Sequence, residues 1–197
     1  MTEIYYTPPL LQLMARRPAL RPRIETVVND HFPELSAARF GRAARGAYYD
    51  PASDTIRINS GSTAYVIGHE LMHALQHCRR PGAGRYPMGE RSADLFLFAR
   101  SQDLVADVWG LREPSYLLKA VLLRRLRQLD PAEGRRLVHE ACAEAVRLRA
   151  AGRRDYICWA ERAIDARIRG YAGEISRHAP LGTTKTLRIQ RHKGYFK

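Results

Sequence analysis

His69, Glu70 and His73 lie in the run Ile67-Gly68-His69-Glu70-Leu71-Met72-His73, an H-E-x-x-H pattern inside a stretch with helical periodicity. A helix turns about 100° per residue, so positions four apart lie about 40° from one another and one turn along the same face. Two imidazoles placed that way can converge on one ion, and paired histidine nitrogens suit tetrahedral zinc. Glu70 is adjacent to the ion rather than on it. A carboxylate there can take a proton from a water activated by the metal and deliver it to a leaving amine. Ala64, Ile67, Leu71, Leu75 and Cys78 occupy the opposite face, so the same helix can pack on a core and present a metal site to a cleft.

A catalytic zinc needs a third protein ligand and one open position. His77 shares the face but stands about 12 Å along the axis from His69 at 1.5 Å per residue, too far to join both other histidines. Glu90 is the best candidate, at the start of Glu90-Arg91-Ser92-Ala93-Asp94 and after a breaker-rich loop over 79–89 that lets the chain reverse. Asp94 lies one turn further on and can accept the Nδ1 proton of a ligand histidine, fixing its tautomer. An exchange of roles between Glu90 and Asp94 stays open at this level. Tyr48, Tyr49, Tyr86, Tyr116, His139 and His178 are all chemically able to stabilise a developing oxyanion, and spacing does not choose among them. Cys78 lies about 180° from His69 on the helix, which fits a buried structural thiol.

H-E-L-M-H followed by E-R-S-A-D resembles the gluzincin arrangement of zinc metallopeptidases, H-E-x-x-H plus E-x-x-x-D. The short spacing is similar to the minigluzincin and ImmA/IrrE-type domains. The resemblance covers about Ala47 to Ala99. It implies a strand before the zinc helix that forms the upper rim of the cleft, a place taken here by Thr55-Ile56-Arg57-Ile58-Asn59, and it aligns Ala93-Asp94-Leu95-Phe96 with the family's small-polar-x-Phe run. The metzincin pattern does not apply, since Arg79 to Gly84 follow the zinc helix and the next histidine is His139.

The elements that must hold these residues follow from pattern and punctuation. Pro8 and Pro9 suit the first turn of one short helix, and Pro22 opens a second through Val28. Two β-like runs, Ala47 to Tyr49 and Thr55 to Asn59, flank the turn cluster at 50–54 and predict a hairpin. Ser60, Gly61 and Ser62 offer cap residues for a zinc helix over 63–78. The glutamate helix is expected over 90–109, stopped by Gly110 and central because Leu95 to Ala99 is apolar on nearly every side. Three further helices are expected over 114–129, 131–151 and 155–171. The predicted fold class is α+β and mostly helical, with a small hairpin or sheet over the zinc helix. The expected organisation is a metallopeptidase core over 1–112, a helical subdomain over 113–180 and a basic tail over 181–197.

The 197 residues carry 33 basic and 20 acidic side chains, a net charge of +13 that raises the prior for an acidic partner such as nucleic acid, through the basic helical half or the tail. Of the basic residues 29 are arginine, a skew that can equally reflect coding composition. No apolar run is long enough to span a bilayer, and three widely spaced cysteines make no disulfide framework, so a cytoplasmic, non-membrane protein is expected. The expected activity is zinc-dependent hydrolysis of a peptide or protein substrate, with one zinc per chain on His69, His73 and Glu90, and with Glu70 as general base and acid. One alternative is a DNA-associated regulatory or stress-response protein whose metalloprotease-like core acts on a repressor; another is a zinc that only supports the fold.

Overall fold

A computed structural model of the protein describes residues 2–78, 86–110 and 115–178, with side chains as far as Tyr171. The fold is mixed α+β and mostly helical, as the pattern predicts. Strand β1 (Glu3–Tyr6) leads into helices α1 (Pro8–Arg16) and α2 (Leu20–His31), followed by strands β2 (Ala37–Arg42), β3 (Tyr48–Asp50) and β4 (Thr55–Ile58). Helices α3 (Ala64–His77), α4 (Glu90–Phe98) and α5 (Gln102–Ala106), and a 3-10 turn over Asp107–Gly110, carry the centre of the chain. Helices α6 (Ala120–Leu126), α7 (Pro131–Ala150) and α8 (Tyr156–His178) complete the described residues.

The expected hairpin is present: β3 pairs antiparallel with β4, Tyr49 opposite Ile56. It is one edge of a larger sheet of order β1-β2-β4-β3, in which β1 runs parallel to β2 and β2 parallel to β4. A parallel pair requires a crossover, and α1 with α2 supplies the one between β1 and β2. Sequence patterning misses both of these strands for a physical reason. β1 has strand formers in Ile4, Tyr5 and Tyr6 but is only four residues long, and Ala37-Ala38-Arg39-Phe40-Gly41-Arg42 is poor in strand-forming side chains, so both depend on pairing with each other across more than 30 positions.

The pairing also corrects the expected rim of the cleft. Thr55 to Ile58 is not an edge: β4 is paired on both sides, and its residues Thr55, Ile56 and Ile58 are buried. The exposed edge beside α3 is β3.

Several helix boundaries differ from expectation: α2 spans Leu20–His31 instead of opening at Pro22 and ending at Val28, and α8 runs on to His178. The glutamate helix ends at Phe98 instead of running to 109, because Ser101 adopts an extended backbone and its hydroxyl accepts from the Asp103 N–H, capping a new helix. Helix α6 starts at Ala120, after an irregular stretch from Ser115; Pro114 lies outside the described residues, as do 79–85 of the expected loop and the tail over 181–197. Thr63, rather than the preceding serines, caps α3 by accepting from the Val66 N–H at 3.3 Å. Asp107 adds a second cap by accepting from the N–H groups of Ala64 and Tyr65 at 2.8 and 3.3 Å. Those are the unpaired donors of a helix N-terminus, and a carboxylate there also complements the helix dipole.

One buried apolar cluster runs from Leu10 to Ile168, so α7 and α8 share the core that backs α3 and α4. Ile67, Leu71 and Leu75 of α3 are buried in it, while Ala64 and Cys78 at the helix ends are only half-buried. Every residue of α4 from Ser92 to Phe98 is buried, which makes this helix central. Gly68 sets how closely the two helices approach: a Cβ there would stand 2.6 Å from Leu97 Cδ1. With hydrogen at that position, α4 can bring its acidic residues against His69.

Candidate metal centre

Three atoms from two helices meet at one point. His69 Nε2 lies 2.9 Å from Glu90 Oε2, His73 Nε2 lies 3.1 Å from the same oxygen, and the two Nε2 atoms are 3.1 Å apart. Helical spacing brings the histidines together, and the short α3–α4 distance at Gly68 brings the glutamate to them. Glu90 reaches across because Gly89 just before it has φ +101°, a left-handed conformation that side-chain-bearing residues rarely adopt.

The hydrogens on the far sides of the rings decide what these atoms offer. His69 Nδ1 is 2.8 Å from Asp94 Oδ1, and the carboxylate can only accept, so Nδ1 carries the proton. His73 Nδ1 is 2.8 Å from Gln76 Oε1. The Gln76 amide cannot be turned the other way, because its Nε2 donates to the carbonyls of Pro87 at 2.7 Å and Gly89 at 3.2 Å. Both neutral rings therefore present bare Nε2 lone pairs, and Glu90 presents an oxygen. Three acceptors this close repel one another unless a cation sits among them.

These residues could hold a metal ion. Tetrahedral zinc with bonds of about 2.0–2.1 Å separates its ligands by about 3.3 Å, so the three edges fit after opening by a few tenths of an ångström. The alternative cation is a proton. Burial disfavours the charged form of His69, but its hydrogen bond to Asp94, the charges of Asp94 and Glu70 and a hydrogen bond to Glu90 outweigh it and push the imidazole up to about 9. Burial acts on Glu90 in the opposite sense, raising its pKa, and is outweighed by the two histidines, which hold the carboxyl below its ordinary value. The cluster thus favours positive charge at its centre, whichever ion supplies it.

Asp94 stands apart from the three-atom cluster that includes Glu90. It is fully buried on the Nδ1 side of His69, and it also accepts from Tyr65 O–H at 2.8 Å and from the Leu117 N–H at 3.0 Å. Tyr65 stands one turn before His69 on α3 and packs against Phe98, with burial and Asp94 raising its phenol pKa well above the ordinary value. Leu117 belongs to the irregular stretch before α6, so the second half of the chain contributes directly to fixing His69.

Glu70 is 8% exposed and lies on the wall of the same cleft, outside the three-atom cluster. Burial raises its pKa, opposed by the charges of His69 and His73 and by a hydrogen bond from the Tyr49 backbone N–H, so its basicity moves toward neutral pH. The cleft has a volume of about 820 Å³, with β3 forming one side through Tyr48 and Tyr49 and Tyr116 standing on another. The Tyr116 ring stacks on His69 with centroids 5.7 Å apart and is 56% exposed.

Of the candidate oxyanion donors, Tyr48, Tyr49 and Tyr116 reach the cleft. Tyr86 is bound to Glu34 and Arg100 in a separate cavity of about 500 Å³. His139 Nδ1 donates to the Phe98 carbonyl at the end of α4, and the His178 side chain lies outside the described residues. His77 lines the cleft against Tyr49, with ring centroids 5.4 Å apart, and is no part of the three-atom cluster.

Sequence patterning misses Gln76, Tyr65, Leu117 and Asp107. Gln76 and Tyr65 carry a local signal, at three positions after His73 and four before His69 on the same helix. A backbone N–H at Leu117 and a carboxylate at Asp107 carry none. No family model, curated protein or solved structure matches the chain.

Proposed function

We propose that the protein is a zinc-dependent metallopeptidase acting on a peptide or protein substrate. The observation that carries this reading is the convergence of two tautomer-fixed Nε2 lone pairs and one carboxylate oxygen at 2.9–3.1 Å, beside a buried glutamate on the open side of a cleft. Three protein ligands of His₂Glu type leave one position free, as catalytic zinc sites require and structural sites do not. When bound, zinc supplies Lewis acidity, polarising a scissile carbonyl and lowering the pKa of a water.

The chain's own residues do the rest. Glu70 takes the proton of the attacking water and carries it to the leaving amine; its raised pKa suits both halves of that transfer. Asp94 and Gln76 keep the Nδ1 protons in place, so that His69 and His73 stay neutral and directed during turnover. β3, at the edge of the sheet, lines the cleft where an extended peptide would lie, and Tyr116 on the far wall offers a phenol to the carbonyl oxygen.

A peptide suits the cleft better than a nucleic acid. Among its described lining residues none is Lys or Arg, in a chain of net charge +13, and Glu70 and Glu90 place carboxylates where a phosphate would be repelled. In the helical half, Arg125, Arg136, Arg147, Arg153, Arg162 and Arg169 are paired with acidic neighbours. Among the described residues no helix is long and apolar enough to cross a membrane, and Cys78, Cys142 and Cys158 are free thiols, which suits a reducing cytoplasm.

Metal analysis of purified protein together with a peptide-cleavage assay tests the reading. About one zinc per chain is expected in the wild type and almost none in His73→Ala, with cleavage of unstructured peptides lost on chelation and restored by zinc. Zinc uptake without cleavage of any peptide pool would leave the metal and remove the peptidase.

A further inference from the structure

Gln76 touches neither the metal point nor the cleft, yet every polar atom of its side chain is engaged. Its Oε1 faces His73 Nδ1 at 2.8 Å, while its Nε2 donates to Pro87 O at 2.7 Å and Gly89 O at 3.2 Å. Those two carbonyls belong to the segment that ends at Glu90. Gly89 O is in addition the acceptor for the Ala93 N–H at 3.0 Å, the bond that opens α4. One amide thus spans from a ligand on α3 to the peptide preceding the ligand on α4.

Both ends of this bridge have direction. An amide has one acceptor end and one donor end, and only the observed orientation satisfies an imidazole N–H on one side and two carbonyls on the other. Resting on the reading of the cluster as a metal site, we propose that Gln76 is a positioning residue that couples the two halves of it: it holds His73 as a directed Nε2 ligand only while the 87–89 segment is seated to deliver Glu90. The two-histidine arm and the glutamate arm are then assembled together rather than independently. The segment is braced further out by Tyr86, which accepts from Arg100 and donates to Glu34, while Arg100 donates to the carbonyl of His31 at the end of α2. Proper seating of 87–89 is therefore set by packing remote from the metal, and Gln76 is where it meets a ligand.

The test uses the full chain stripped of metal, titrated with Zn²⁺ against a chromophoric chelator and separately with Co²⁺ followed by visible absorption. Gln76→Met fills similar space without a donor or a strong acceptor. Its zinc affinity should fall about 10- to 100-fold, the usual cost of losing a ligand's orienting partner, and its Co²⁺ d–d band should change shape as the ligand geometry loosens. A role confined to packing would not move that band. Unchanged affinity and an unchanged band overturn the proposal.

If Gln76→Met does not fold, the wild type still decides. Both Gln76 side-chain N–H protons should exchange with solvent much more slowly than those of the other glutamines, and exchange at the ordinary rate overturns the proposal. Wild-type protein that takes up neither Zn²⁺ nor Co²⁺ overturns the metal reading itself, whereas wild-type binding with an unaffected Gln76→Met overturns only the coupling.

Discussion

His69 and His73 direct the same atom at the same point but are held by opposite means. His69 is 6% exposed and anchored by a fully buried carboxylate that also accepts from a tyrosine and a backbone N–H. His73 is nearer the surface and anchored by a neutral amide whose other end is on a loop. The deep arm concentrates charge in a desolvated place, so it prefers a cation and carries the titration. The rim arm carries no formal charge and depends instead on where a segment of chain lies. One site can thus join a ligand fixed by electrostatics to a ligand fixed by loop placement.

Glu70 belongs to neither arm and provides the largest expected effect. Glu70→Gln should keep zinc near one per chain and lower peptide turnover by about 10²-fold or more, because an amide fills the space but cannot shuttle the proton. Comparable loss of zinc in that variant would make Glu70 part of the metal's support.

Asp94→Ala sharpens the contrast between the arms. It leaves the Tyr65 hydroxyl, the Leu117 N–H and His69 Nδ1 without their acceptor, so urea unfolding of the metal-free protein should show a loss of about 3–5 kcal/mol, as breaking a buried charged pair costs. Gln76→Met, at the rim, should cost about 1 kcal/mol by the same measurement. Equal losses would erase the distinction.

The arms should also separate by pH. In metal-free protein the His69 pKa is raised to about 9, above its value of about 6.5 in an unfolded chain. Its contribution to stability is fully present below pH 6.5 and is lost as pH rises through 9. The urea midpoint of metal-free protein should therefore fall across that window, and the fall should disappear in Asp94→Asn. Zinc binding must displace the same proton, so zinc affinity should rise over the window in which stability without metal declines. Affinity independent of pH from 6.5 to 9 would show that His69 does not hold the proton.

Gly68→Ala forces a methyl group against Leu97, and the thermal midpoint of the metal-free protein should drop by the equivalent of about 1–3 kcal/mol, with zinc affinity falling as α4 is pushed away. Tyr65→Phe should have an effect as small as that of Gln76→Met, about 1 kcal/mol in urea unfolding, since Asp94 keeps its other two partners.

What could be known from the string of residues was whatever depends on neighbours along it. The histidines four apart, the apolar back of their helix, the turn cluster between β3 and β4 and the prolines opening α1 are all facts of short range, and periodicity or local steric preference carries them. Glu90 and Asp94 were also legible as a pair one turn apart, but which carboxylate would face which side of His69 was not: that depends on the angle and closeness of α3 and α4, settled by a glycine contact with Leu97. Strands β1 and β2 are too short or too poor in strand formers to be read locally, since their pairing is with distant partners, and the interior place of β4, with β3 at the rim, follows from those pairings. The single helix expected over 90–109 broke where a serine hydroxyl competed for the backbone, a choice between two local solutions that packing resolved. Leu117 and Asp107 gained their roles only when the chain folded, as did the link from Gln76 to Pro87 and Gly89, since a hydrogen bond's significance depends on the partner across the fold and a donor or acceptor in sequence names none.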